Sequence, residues 1–138
     1  MRLTHLLDSS VYCQPLKPEP LASVEKRWRA LGDQALAVSV ISEAEVLYGI
    51  ELKGSAKLNL LYQDVLQGRL QSKLVDREVV EAFALAKASA KKRANVCSDF
   101  DFLIGATASV HGLILATLNA KHFRFVDGLL VEDWSTSP

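Results

Sequence analysis

Residues 35–50 read Ala35-Leu36-Ala37-Val38-Ser39-Val40-Ile41-Ser42-Glu43-Ala44-Glu45-Val46-Leu47-Tyr48-Gly49-Ile50. The first seven form a continuous apolar, β-branched run with one small hydroxyl, the pattern of a strand buried on both faces. From Ser42 the period changes: Val46, Leu47 and Ile50 fall on one helical face, and Gly54 stops the helix. A buried strand feeding a helix is half of a βαβ unit, and sheets built from such units are parallel.

The rest of the chain repeats that alternation. Residues 3–7 (LTHLL) form a short strand that stops at Asp8-Ser9-Ser10, the chemistry of a helix N-cap. Three of the four prolines lie in 14–20, which makes that segment a loop. Leu21, Val24, Trp28 and Leu31 give a helix over 21–31, closed by Gly32-Asp33. A second amphipathic helix spans 56–66, and its stripe of Leu58, Leu61, Tyr62 and Val65 serves a core or a dimer contact. Residues 70–74 suit a short strand. An Ala-rich helix over 77–93 ends in Lys91-Lys92-Arg93, charges that suit the negative end of its dipole. Another helix starts at Ser98 or Asp99, runs to about His111 and is capped by Gly112. Residues 113–117 (LILAT) and 128–131 are the last strands, the latter at an edge. The expected fold class is α/β: a single domain over residues 1–138 with a mostly parallel central sheet and helices on both faces.

A length of 138 residues suits one core, and 49% hydrophobic with 23% charged residues excludes a disordered tail. No run approaches the roughly 18 apolar residues of a membrane helix, and the first residues lack a signal-peptide apolar region. A cytoplasmic protein with no membrane partner is expected. Sixteen basic against sixteen acidic residues argue against nucleic-acid binding by bulk charge, leaving local charge from Arg2, Lys121 and Arg124. Cys13 and Cys97 make no disulfide framework or cysteine zinc site. The seven glycines form no phosphate loop, and there is no GxSxG nucleophile elbow. His5, His111 and His122 lack metal-ligand spacing and read as core or surface residues.

In a parallel sheet, function gathers outside the carboxyl ends of the strands. Asp8 directly follows the first strand, and Glu45 falls in the first turn of the helix after the second. Asp101 falls in the first turn of the helix before LILAT, and Thr117 and Asn119 follow that strand's end. Capping alone accounts for each acid singly. Ser42-x-x-Glu45 and Ser98-x-x-Asp101 match the capping box, Asp8 suits an N-cap and Asn119 a turn. Yet Glu45 and Asp101 sit on helices rich in packed apolar residues, and anions near a core repel unless a cation lies among them. A cluster of Asp, Glu and a carboxamide offers oxygen ligands only, which suits Mg²⁺ or Mn²⁺ and not zinc.

Five segments complete the reading. They are Leu6-Leu7-Asp8-Ser9-Ser10-Val11, Ile41-Ser42-Glu43-Ala44-Glu45-Val46-Leu47-Tyr48-Gly49-Ile50, Asp101-Phe102-Leu103-Ile104-Gly105-Ala106-Thr107-Ala108, Leu115-Ala116-Thr117-Leu118-Asn119-Ala120-Lys121-His122-Phe123, and Gly128-Leu129 to Glu132-Asp133-Trp134. In that order and spacing the chain resembles the PIN-domain ribonucleases, and within them the VapC-type toxins of prokaryotic toxin–antitoxin pairs. The resemblance implies Mg²⁺- (or Mn²⁺-) dependent endonucleolytic cleavage of RNA, with the metal on Asp8, Glu45 and Asp101. Asn119 is implied as a further catalytic residue that orients a water or a metal ligand. Thr117, Ser10 and Asp99 are accessory candidates, with the Thr117 hydroxyl available to a neighbouring hydroxyl or phosphate. The implied partners are a VapB-like cognate antitoxin, the RNA and a second copy in a homodimer. This chain departs from the family pattern at Ser10, where Asn is common, at Leu118, where Arg is common, and at Asn119, where Asp would carry charge. Asp99 is an extra acid near Asp101. Two alternatives stand beside this reading: a receiver-like Mg²⁺-binding module using Asp8, Thr117 and Lys121, and an inactive PIN-like interaction module. The lack of an acidic neighbour to Asp8 opposes the first, and the intact acid set opposes the second.

Overall fold

His5–Leu7 forms β1, the centre of a five-stranded sheet between β2 (Leu36–Ser39) and β4 (Ile114–Thr117), with β3 (Gln71–Lys73) and β5 (Val131–Asp133) at the edges. The computed structural model describes residues 2–92, 97–124 and 126–137. All four strand pairings are parallel, and Leu6 lies between Ala37 and Leu115 in the central register. The helices are α1 (Ser9–Tyr12), α2 (Ala22–Leu31), α3 (Val40–Lys53), α4 (Ala56–Val65), α5 (Arg77–Lys92) and α6 (Asp99–Val110). The expected α/β class with a parallel sheet is what forms.

Successive strand residues point to opposite faces, and both faces are covered. Leu7, Leu36, Val38 and Ala116 pack with Val24, Trp28 and Tyr62 of α2 and α4 on one side. Leu6, Ala37 and Leu115 pack with Ile104 and Ala108 of α6 on the other. This two-sided burial is why the strands read as unbroken apolar runs. Burying one Ile- or Leu-sized side chain contributes roughly 1.5–3 kcal/mol. An N-cap contributes about 1 kcal/mol. Packing against the sheet therefore holds α6 in place, and its cap only trims the start.

Several boundaries and exposures differ from expectation. β2 ends at Ser39, and Ser39 caps α3 by accepting from the Ile41 amide at 3.0 Å. Val40 and Ile41, read as strand, are helical because that cap and the packing of Val46 and Ile50 outweigh β-branched preference. Leu47, expected on the buried face, is 42% exposed. At the C-terminal edge, Gly128 adopts φ 76° in a turn and β5 starts only at Val131, not at 128. In α4, Tyr62 is buried, whereas Leu61 of the same stripe is exposed. The C-cap of α6 is His111, with Gly112 following at φ 63°. Arg93, expected to end α5, lies outside the described residues.

The topology places the site. From β1 the chain moves outward to β2 and β3 on one side, then returns to lay down β4 and β5 on the other. Strand order thus reverses between β1 and β4, and a crevice opens at their carboxyl ends. The order 3-2-1-4-5 also excludes the receiver-like alternative, whose doubly wound sheet runs 2-1-3-4-5.

Candidate active site

Asp8 is the first residue past β1 and the N-cap of α1. It is only 6% exposed. Its backbone amide donates to the Ala116 carbonyl of β4 at 3.0 Å, which fixes it across the switch point. One carboxylate oxygen, Oδ1, accepts from the Val11 amide at 3.1 Å and from Ser10 Oγ at 2.6 Å. The other accepts from Thr117 Oγ1 at 2.5 Å. Burial pushes the carboxyl above its usual range; the hydrogen bonds from Ser10, Thr117 and Val11 pull the other way, and the nearby Asp101 charge adds to the rise. The result is an anion held firmly in a place that disfavours anions.

Thr117, the accessory candidate at the end of β4, is fully buried. Its hydroxyl donates to Asp8 and accepts from the Asn119 amide at 2.9 Å. It is a positioning group. Ser10 acts similarly, donating to Asp8 and accepting from the Leu118 amide at 3.1 Å. Because removing one partner leaves a buried acceptor unpaired, Thr117→Val is expected to destabilise the fold by about 1–3 kcal/mol. Urea unfolding at neutral pH measures this, with Thr117→Ser, which keeps the hydroxyl, recovering most of the loss. A Val variant as stable as wild type would show that the hydroxyl does not hold Asp8.

Glu45 projects from the second turn of α3, not the first, because the helix begins at Val40. The capping-box reading of Glu45 therefore fails. Ser42 Oγ is buried without a hydrogen-bond partner among the described residues, and Glu45 Oε1 accepts from Ser9 Oγ at 2.5 Å instead. Burial again raises this carboxyl; the Ser9 hydrogen bond lowers it, and the charges of Asp101 and Asp8 raise it further. Asp101 does sit in the first turn of α6, and its amide donates to Ser98 Oγ at 3.1 Å. Its carboxylate turns toward His122, whose Nδ1 lies 3.5 Å from Oδ2.

Asp8, Glu45, Asp101, Asn119 and His122 line one cavity of about 250 Å³. Asp99 is absent from its lining and pairs with Lys87 of α5 at 2.7 Å, so it stands apart from the cluster. Ser9 and His122 are members that sequence reasoning missed. Ser9 reads as a cap residue beside Asp8. His122 reads as surface, although its place three residues after Asn119 puts it on the same short 3-10 turn, Ala120–Phe123.

The donor set has the chemistry of a divalent-cation site. Three carboxylates and the Asn119 carboxamide supply oxygen ligands, and the charge of Asp101 raises the proton affinity of Asp8 and Glu45, a repulsion that a bound cation relieves. The residues fit Mg²⁺ or Mn²⁺. Among the described residues, no three His, Cys, Asp or Glu side chains already converge as a ready-made metal cluster. Ser9 holds Glu45 Oε1, and Ser10 and Thr117 hold the two oxygens of Asp8.

Comparison with known proteins agrees with this layout. A tRNA(fMet)-specific endonuclease VapC of Shigella flexneri is 28% identical over 133 residues, covering 96% of this chain and 99% of that protein. Toxin FitB of Neisseria gonorrhoeae is 28% identical over 139 residues, covering 94% and 97%. The crystal structure of DNA-bound VapBC from Salmonella typhimurium superposes with a TM-score of 0.84 over 96% of this chain and 98% of that one. Its 21% identity makes that a likeness of fold. The PIN domain model matches residues 5–129, from the first residue of β1 to the turn before β5. A match of that extent, over a sheet and a crevice that agree with it, makes the chain a member of the PIN domain family.

Proposed function

We propose that this chain is a divalent-metal-dependent endoribonuclease of the VapC type, the toxin of a pair restrained by a small antitoxin. One observation carries the reading: Asp8, Glu45 and Asp101, from three separate elements, meet in one cavity at the switch point of the sheet. The named activities of the related endonuclease and toxin support it. Asp8, Glu45 and Asp101 would hold Mg²⁺ or Mn²⁺. When bound, such an ion supplies Lewis-acid activation of water and neutralises charge on the phosphate.

The chain's own groups do the rest. Ser10 and Thr117 hold the Asp8 carboxylate in one orientation, and Ser9 does the same for Glu45. Asn119, exposed at the cavity edge, orients water or a phosphate oxygen through its carboxamide. His122 faces Asp101 at the wall, its Nδ1 3.5 Å from Oδ2. Asp99 takes no part. The antitoxin is read as a small protein whose cationic side chain enters the negative cavity, since complementary charge guides association. Exposed Tyr48, Leu52 and Leu60 on α3 and α4 support a homodimer. No helix among the described residues is long and apolar enough to cross a membrane, in keeping with a cytoplasmic ribonuclease.

The test is incubation of purified protein with labelled transfer RNA and single-stranded RNA. Internal cuts are expected with magnesium or manganese and none with excess chelator. Cuts that persist in chelator would overturn the metal requirement, and intact RNA under every condition would overturn the ribonuclease reading. Expression alone is expected to arrest growth, and the neighbouring gene product to relieve it.

A further inference from the structure

Beside the acid cavity lies a second one of about 440 Å³, and Ser9, Ser10 and Glu45 line both. The Ser9–Glu45 hydrogen bond is the divide between them. The outer groove is walled by Leu16, by Val46, Gly49 and Ile50 of α3, and by Leu58 of α4. Lys17 and Lys53 also line it, and both are exposed. Neither makes an ion pair among the described residues.

Two features of this groove answer no need of the fold. Gly49 sits inside the 14-residue α3, where glycine weakens a helix relative to alanine. A Cβ there would meet nothing within 4 Å among the described residues, so none of them demands the gap. Lys53 lies in the last turn of α3, where the helix dipole accounts for a cation. Lys17, in the extended residue after the 3-10 turn Gln14–Leu16, has no such reason.

We propose that this groove seats the nucleotide adjoining the scissile phosphate, with its base on Val46, Ile50 and Leu58 beside Gly49. Lys17 and Lys53 take backbone phosphates. The inference rests on the ribonuclease reading of the acid cavity. An RNA whose phosphate reaches Asp8, Glu45 and Asp101 must leave that negative cavity past Ser9 and Glu45, and the groove begins there. A chain with no net charge has to supply local cations along that exit, and these two lysines do so. Cations that track phosphates together with an apolar platform for bases are how single strands are held without base-edge readout. An acidic protein segment would use the lysines but gives no reason for the vacancy at Gly49.

The test is binding of a short fluorescein-labelled single-stranded RNA of mixed sequence, read by anisotropy in chelator across a salt series. Gly49→Leu fills the groove with a good helix former. It is expected to weaken binding about tenfold, with a melting temperature no lower than wild type. Lys17→Ala with Lys53→Ala is expected to flatten the log–log salt slope by about 1.4, at about 0.7 per phosphate for single strands. Lys17→Arg with Lys53→Arg restores the slope, and Lys26→Ala with Lys91→Ala leaves it unchanged. If the wild type cleaves RNA in magnesium while both groove variants keep wild-type affinity and slope, the groove is overturned and passes to a protein segment. A wild type that cleaves no RNA overturns this inference together with the reading beneath it.

Discussion

Asp8→Asn is expected to slow RNA cleavage by about a thousandfold, the scale on which losing one pre-organised electrostatic group slows a reaction. The fold is expected to survive. Asparagine Oδ1 can accept from the Val11 amide and Ser10 Oγ as the aspartate does, and the Thr117 hydroxyl can turn to accept from the new Nδ2. The substitution also removes an anion that burial disfavours, so circular dichroism and chelator-state stability should match wild type. Single-turnover rates in magnesium measure the effect. Asp99→Asn is the internal comparison: its ion pair with Lys87 is about half-exposed at each end, and such pairs matter little. Its rate is expected within about twofold of wild type, on the same reasoning. Equal losses in the two variants would mean that net acidity, not the geometry at the switch point, drives the chemistry.

That contrast between Asp8 and Asp99 was partly legible in the sequence. An acid placed directly after a buried strand must emerge at the sheet's carboxyl edge, whatever the packing behind it. Asp8 and Thr117 are therefore fixed by strand ends alone. Asp99 and Asp101 stand two residues apart on one helix, about 200° around its axis. Spacing separates them onto opposite faces but does not say which face meets the sheet. The choice is made by the packing of Ile104 and Ala108 on Leu6 and Leu115; Asp99 is then left beside Lys87 and Asp101 beside His122, partners far away in sequence.

The start of α3 was not legible, for a different reason. Val40 and Ile41 continue the β-branched run of β2, and nothing local separates strand from helix there. The structure ends the strand at Ser39 by capping, which moves Glu45 into the second turn and leaves Ser42 Oγ buried without a hydrogen bond among the described residues. The capping-box pattern at Ser42 is therefore coincidental, whereas the one at Ser98 is half realised through the Asp101 amide. The late start of β5 has a similar cause. Gly128 turns the chain at φ 76° and Leu129 packs on the cluster of Ala90, Phe102 and Val126, so the strand proper begins only at Val131.

The second large effect separates a metal site from a cap at Asp101, and stability reads it. A cation that binds only the folded state at a hundred times its Kd stabilises the wild type by about 2.7 kcal/mol. For a domain of this size that raises the melting temperature by roughly 10 °C. Asp101→Asn keeps the backbone amide that donates to Ser98, so a role in capping alone predicts the same metal-induced shift as wild type. A role as ligand predicts that most of the shift disappears. The pH dependence in chelator gives an independent check. Asp8 and Glu45 have carboxyls raised in the folded state, so their protonation favours folding. That contribution is full below their ordinary unfolded values and is lost as pH rises through the raised ones. Wild-type stability in chelator should therefore carry a falling component with rising pH. Asp101→Asn should weaken that component, because Asp101's charge is one of the causes of both shifts. With magnesium the sign reverses: the ligands must be deprotonated, so the stabilisation the metal gives wild type should grow with pH. A wild type whose metal-induced shift is independent of pH, and equal in Asp101→Asn, would return Asp101 to the role of a helix-start residue and take the cation out of this crevice.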